Sequence, residues 1–257
     1  MSKKLNTMKP WHRHPVFCFT SDIDWASEAV IEYSHNCVGG DDLKLTYFAT
    51  HPSRFIDHCQ ENGRARILIH PNFLPDSSHG GTYDAVMNYC RDLVPDADGF
   101  RCHRYFESND IHDEFARRGF KFFSNHCTQS ETHLRPLRHR SGMVSIPIFL
   151  EDGGYLLMDP TLQFEALREQ LEAPGLKVIN FHPAHMAINT PNFSYMRKIK
   201  NSLGREDWVS LSTSQIRELE CKEDGVRNAI QRIAEHAHNG KYLILSMHEI
   251  YEQAISQ

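Results

Sequence analysis

The chain has 257 residues, 40% hydrophobic and 24% charged, with 28 Lys and Arg against 33 Asp and Glu. A formal charge of −5 leaves no basic surplus to drive phosphate-backbone binding, so nucleic acid is not an expected partner, and the composition excludes a fibrous or low-complexity chain. The unusual feature is the count of 17 His, the commonest metal ligand and the usual proton-transfer residue near neutral pH.

The amino terminus carries lysines with no apolar stretch behind them, so no secretory leader is expected. Residues 16–19 read as a strand, followed by Ala26, Ala29, Val30, Tyr33 and Cys37 at helical spacing. Strands are expected at 43–48 and 65–69, with helices at 52–59 and from Tyr83 to Leu93. A short strand at 99–101 precedes a helix at 109–118. Strands at 120–123, 143–150 and 176–181 follow, with a helix at 162–171 between the last two. Residues 208–211 read as a strand, Val226 to Ala237 as the clearest amphipathic helix, and 242–245 as a closing strand. No apolar run is long enough to span a bilayer. Strand–helix alternation at this count predicts an α/β fold: a distorted or incomplete (β/α) barrel of about seven strands, in one domain covering 1–257.

Sites in such folds sit at the carboxyl ends of the strands. Four strand ends are loaded with reactive residues: Asp22 and Asp24, His70 and Asn72, Arg101 to Tyr105, and His182 and His185. Asp22 also suits a helix N-cap, and an isolated strand-end His is more often structural, but four such ends together point to a metal hydrolase. Two carboxylates at i and i+2 allow one to bind a metal and the other to act as base.

These residues resemble the polysaccharide deacetylases of the NodB-homology group, carbohydrate esterase family 4, and within it a subgroup found among O-antigen and capsule biosynthesis proteins. Phe19-Thr20-Ser21-Asp22-Ile23-Asp24 resembles the first motif of that family, and Ile67-Leu68-Ile69-His70 with Ser77-Ser78-His79 resembles the second. Gly99-Phe100-Arg101-Cys102-His103-Arg104-Tyr105 resembles the third, with Arg104 where proline is usual. Residues 119–125 resemble the strand ending in Ser-Asn, and Ile179-Asn180-Phe181-His182 the last motif. The matches run in family order over 16–185.

The resemblance implies removal of an acetyl group from an N-acetylated sugar or sugar nucleotide. Asp22 would be the base, Arg101 would steady it and keep it ionised, and His182 would be the general acid. Asp24, His70 and His79 would hold one divalent ion, zinc first. His70 and His79 stand nine apart where the family places its pair four apart, so a loop must return His79. Asn72 or Asp76 offers an oxygen instead. Tyr105, His185 and Asn72 are candidate substrate contacts, and His185 is the alternative acid. No copy of the motif whose Asp and Trp tune the acid is evident, and Trp208 after Asp207 reads as packing.

Other features are weaker. His12 and His14 precede the first strand, at the wrong end, and His236 and His238 suit a helix C-terminus. Cys102 and Cys127 lie near strand ends with no nucleophile motif around them. Seven cysteines without a Cys-x-x-Cys pair argue for free thiols and a cytoplasmic setting. Arg135, Arg138, His139 and Arg140 form a basic cluster, either a solvated loop or a grip on an anionic sugar. The rival readings are another C–N amide hydrolase on the same scaffold, or a sugar-binding relative without turnover.

Overall fold

The first strand, β1 (Pro15–Asp22), is buried along its whole length. A strand covered on both faces carries a continuous apolar run rather than an alternating one, which is what a parallel sheet under helices demands. The computed structural model describes residues 8–159 and 161–256, so the lysine-bearing stretch 1–7 read for a leader lies outside the described residues. Ten strands form one sheet. After β1 come β2 (Leu45–Ala49), β3 (Ala65–Ile69), β4 (Gly99–Phe100), β5 (Phe122–Phe123), β6 (Leu137–Arg138), β7 (Val144–Ser145), β8 (Leu150–Glu151), β9 (Gly175–Phe181) and β10 (Leu243–Ile244).

The order is β6-β7-β5-β4-β3-β2-β1-β9-β8, parallel except for the β6–β7 pair, and β10 adds to β1. β7 and β8 are two ends of one extended segment, 144–151. Its first half pairs with β5 and its second half with β9. Between them Ile146 and Ile148 donate to Phe123 and His126, and Phe149 donates to Val178. One segment therefore bridges the two edges of the sheet. The ring runs β1, β2, β3, β4, β5, segment 144–151, β9, which makes a distorted barrel in a single α/β domain as the sequence predicts.

Alternation along the strands sorts the core. Val16, Cys18, Phe48, Leu68, Phe122, Leu176 and Val178 fill the barrel. Phe17, Phe19, Tyr47, Ile67, Ile69, Ile179 and Phe181 face outward under helices such as Glu28–Val38, Tyr83–Leu93 and Val226–Asn239. Continuing the inward series toward the carboxyl ends gives Thr20 and Asp22 on β1, His70 after Leu68, and Asn180 and His182 after Val178. The polar site is thus the upper layer of the barrel interior.

One expected strand is absent among the described residues. Of residues 208–211, Trp208 and Val209 end the helix Arg205–Val209 and the other two lie just after it, because Gly204 starts a helix whose first turn holds Glu206 and Asp207, carboxylates that suit a helix N-terminus. The apolar triplet Trp208, Val209 and Leu211 is too short for period to separate strand from helix. Among the described residues no helix is long and apolar enough to cross a membrane.

Candidate active site

Arg101 is wholly buried and sits at the centre of the barrel's upper layer. Its Nη1 donates to Asp22 Oδ1 at 2.8 Å, Asn180 Oδ1 at 2.6 Å and Thr20 Oγ1 at 2.9 Å. Its Nε and Nη2 reach the Ser124 carbonyl and hydroxyl at 3.0 Å each, and its plane lies 4.1 Å from the Phe48 ring centroid. A guanidinium suits this duty because its donors are fixed in one plane. The Asn180 amide donates to Asp22 Oδ2 at 2.9 Å, so both oxygens of the buried Asp22 carboxylate are held.

Beyond Asp22 the chain turns sharply. Asp24 and Trp25 both adopt left-handed backbone, φ 35° and 55°, costly for residues with a Cβ and typical of functional turns. The turn is held by Ile23 N–H to the Phe48 carbonyl and Trp25 N–H to Thr50 Oγ1. It brings Asp24 Oδ1 within 3.2 Å of both His70 Nε2 and His103 Nδ1. Burial works against the Asp24 charge, but His103 and His70 outweigh it and hold the carboxyl well below its usual range. Asp24 Oδ1 is buried with no hydrogen-bond partner, and so is His70 Nδ1. A buried carboxylate oxygen between two imidazoles, hydrogen-bonded to neither, fits a position completed by a cation.

His79, the expected third ligand, is not in this cluster. Its Nδ1 accepts the Asn72 N–H at 3.1 Å and its Nε2 meets the Thr50 carbonyl at 2.8 Å. Its ring stacks on Tyr89 at 4.5 Å. With both nitrogens engaged it has no lone pair for a metal, and burial lowers its pKa to about 4, keeping the ring neutral. The loop between His70 and His79 does return, but it docks His79 as a structural brace. His103, two residues beyond Arg101, stands where His79 was expected.

Across from Asp22 lies His182. Its Nδ1 is 2.7 Å from Asp152 Oδ1, its backbone N–H donates to Asp152 Oδ2 at 2.7 Å, and its Nε2 is 3.6 Å from Asp24 Oδ2. Burial disfavours the charged ring, but Asp152, with help from Asp24 and Glu151, lifts its pKa well above the usual value. Asp152 is fully buried, and despite that burial His182 holds its carboxyl below the usual range. Glu151 beside it is pushed up to about 7 by burial and by the Asp152 charge. His185, the alternative acid, has no carboxylate in hydrogen-bonding reach, its Nδ1 is unpartnered, and burial lowers its pKa to about 4. A ring that stays neutral at pH 7 is poorly suited to donate a proton.

These groups open onto one cavity of about 930 Å³. Tyr105, Asn72 and His185, the expected substrate contacts, all line it, as do Asp22, Asp24, His70, His103 and His182. Tyr105 Oη accepts a hydrogen bond from the Asn180 amide at 3.4 Å, and burial raises its pKa. Part of the cavity wall is built by Met196 and Lys200 from the helix Phe193–Ser202, by Arg205 and Trp208 from the helix Arg205–Val209, and by Leu203 in the link between them. Trp208 is therefore part of the cavity rather than packing alone. The cluster of Arg135, Arg138, His139 and Arg140 lines none of it. β6 pairs with the first residues of segment 144–151, and Arg140 is tied to Asp113 and Asn109. Burial pushes the Cys102 thiol up and the Cys127 thiol to about 11, which leaves little thiolate for nucleophilic attack.

Three residues of the site escaped sequence reasoning. His103 lay inside a quoted motif without a role. Asn180 follows from strand alternation with His182. Asp152 lies two residues past the strand expected at 143–150, at the start of the helix Asp152–Met158, a fifth loaded strand end.

The sequence profile of the WbmS-like family, described as polysaccharide deacetylase, matches residues 19–200. Among curated proteins none matches in sequence. A crystal structure from Bordetella bronchiseptica, described as a polysaccharide deacetylase involved in O-antigen biosynthesis, superposes with a TM-score of 0.76 at 24% identity. It covers 89% of this chain and 93% of its own. A polysaccharide deacetylase structure from Mycobacterium smegmatis aligns with a TM-score of 0.47 at 14% identity, over 91% of this chain and 94% of its own. With the profile spanning most of the chain, the protein belongs to the WbmS-like polysaccharide deacetylase family and is a carbohydrate deacetylase.

Proposed function

We propose that this protein hydrolyses the acetamido group of an N-acetylated sugar, releasing acetate and the free amine, with one divalent metal ion as cofactor. The observation that carries the reading is the Asp24–His70–His103 cluster, flanked by Asp22 and His182 on the same cavity. Asp24 Oδ1, His70 Nε2 and His103 Nδ1 would hold the ion, and one carboxylate with two imidazoles suits zinc or another divalent transition ion. When bound, the ion polarises the acetyl carbonyl and makes water more acidic.

The chain's own residues supply the proton transfers. Asp22, fixed at both oxygens by Arg101 and Asn180, accepts the proton of the attacking water. The new bond joins that water oxygen to the acetyl carbon, and the bond that breaks is carbon to nitrogen. His182 donates its Nε2 proton to the departing nitrogen, which leaves as an amine. Asp152 on Nδ1 fixes the tautomer and keeps the ring charged at neutral pH. Tyr105, Asn72 and His185 contact the sugar.

The Bordetella relative suggests the setting, a sugar destined for cell-surface polysaccharide, and seven unpaired cysteines support a reducing cytoplasm. Acetate release from a panel of N-acetylated sugars by metal-loaded protein tests the proposal. Release that stops on chelation and returns with zinc is the expected result. No release from any sugar by protein carrying stoichiometric metal would overturn it.

A further inference from the structure

The cavity lining carries three cations, Arg104, Lys200 and Arg205, beside the acids Asp22, Asp24, Asp76 and Glu151, and all three cations are exposed. Among the described residues none of these three cations has a carboxylate within 4 Å, although most of the chain's other arginines do pair with acids or carbonyls. Met196 and Lys200 stand at i and i+4 on the helix Phe193–Ser202 and both line the cavity, so helical spacing turns Lys200 to the cavity face. The Lys200 ammonium lies 5.2 Å from the Trp208 ring centroid, a contact that positions the charge without neutralising it. Arg104, in left-handed backbone at φ 54° in the turn after Arg101, adds its cation to the lining from a separate element. A protein of net charge −5 has placed three free cations around one opening.

We infer that the sugar substrate carries a phosphoryl or diphosphoryl group, bound at the cavity margin by Lys200, Arg205 and Arg104. The inference rests on the deacetylase reading and names the class of its substrate. Three cations exceed what one carboxylate uses, since a single arginine satisfies both its oxygens, whereas a phosphoryl group offers about two charges and three oxygens. A volume of about 930 Å³ sits at the upper end of small-molecule pockets and leaves room beyond one sugar ring. With the phosphoryl group held by these cations, the acetamido group is left to reach Asp24 and His182 on the same cavity.

The test compares kcat/KM for free N-acetylglucosamine and N-acetylgalactosamine, their 1-phosphates, and their uridine diphosphate conjugates. The 1-phosphates should exceed the free sugars by about tenfold or more, the scale of a charge-assisted contact, mostly through KM. That preference should collapse in the Lys200→Ala/Arg205→Ala double variant and persist in Arg138→Ala, which alters a cation away from the cavity. A further gain with the conjugates would identify a nucleotide-linked sugar, and no further gain would identify the phosphate alone, both within the inference. A ratio near one in the unaltered protein, a preference for a uronic acid over the phosphate, or a ratio undiminished in the double variant would overturn it. Calorimetry with glucosamine 1-phosphate separates the two readings. Binding that needs Lys200 and Arg205, without acetate release from any substrate, would sink the deacetylase and keep the anion site.

Discussion

Asp152 grips His182 twice: Oδ1 pairs with the ring Nδ1 and Oδ2 accepts the backbone N–H, each at 2.7 Å. The pair fixes ring orientation and charge together. The raised pKa of His182 means that the acid is present at neutral pH and is lost as pH rises through that pKa. Removing the Asp152 charge should bring the loss to lower pH. In Asp152→Asn the alkaline limb of kcat should move down by about one to three pH units, the usual influence of a close opposite charge. An unmoved limb would detach Asp152 from the acid.

His182→Gln should lose about 10²–10⁴-fold on acetamido substrates, the scale of general acid help. The same variant should lose far less on an aryl acetate, because a phenolate departs without a proton. Equal losses on both substrates would assign His182 another role, and a selective loss in His185→Gln would transfer the role to that ring.

Asp22→Asn keeps the size of the side chain and removes its basicity. Turnover should fall by about 10²–10⁴-fold while bound metal stays stoichiometric by elemental analysis. Metal loss in this variant would make Asp22 a ligand. Arg101→Ala is a different case. It leaves the buried Asp22 carboxylate without its counter-charge, and such breakage costs about 3–5 kcal/mol, readable in denaturant unfolding.

Much of this site was legible because two rules act together. Strand alternation sends Asp22, His70 and His182 to the barrel interior, and the strand-end rule puts the chemistry there. Spacing could not choose between His79 and His103, since either is reachable by a loop. What decides is hydrogen bonding: Asn72 and Thr50 consume both nitrogens of His79, and Thr50 lies 29 residues away in sequence. Asp152 was hidden because 143–150 reads as one ordinary strand, whereas the two ends of that segment pair with different strands, β5 and β9. The helices carrying Lys200 and Trp208 are short, and no apolar period marks them as a cavity wall.

Lys177 supplies a test of the fold away from the chemistry. It lies fully buried on β9, its ammonium has no hydrogen-bond partner, and it sits over the Phe149 ring 4.6 Å from the centroid. Burial lowers its pKa to about 8. The unfolded lysine titrates near 10.4, so the folded state is penalised below pH 8 and gains stability as pH rises from about 8 to about 10.4. Lys177→Met should raise the thermal midpoint at pH 7 by about 2–4 °C for each kcal/mol recovered, with the advantage shrinking as pH rises through that window. A lower midpoint at pH 7 would mean that the ammonium is compensated.

The most direct measurement of the central claim is metal content together with acetate release in two histidine variants. Protein loaded with zinc and freed of excess should carry one equivalent. His103→Ala should lose the metal and the activity together, whereas His79→Gln, which alters the Thr50 and Asn72 brace and the Tyr89 stack, should keep its equivalent of metal. Metal retained in His103→Ala and lost in His79→Gln would contradict the ligand cluster and restore the pairing of His70 with His79.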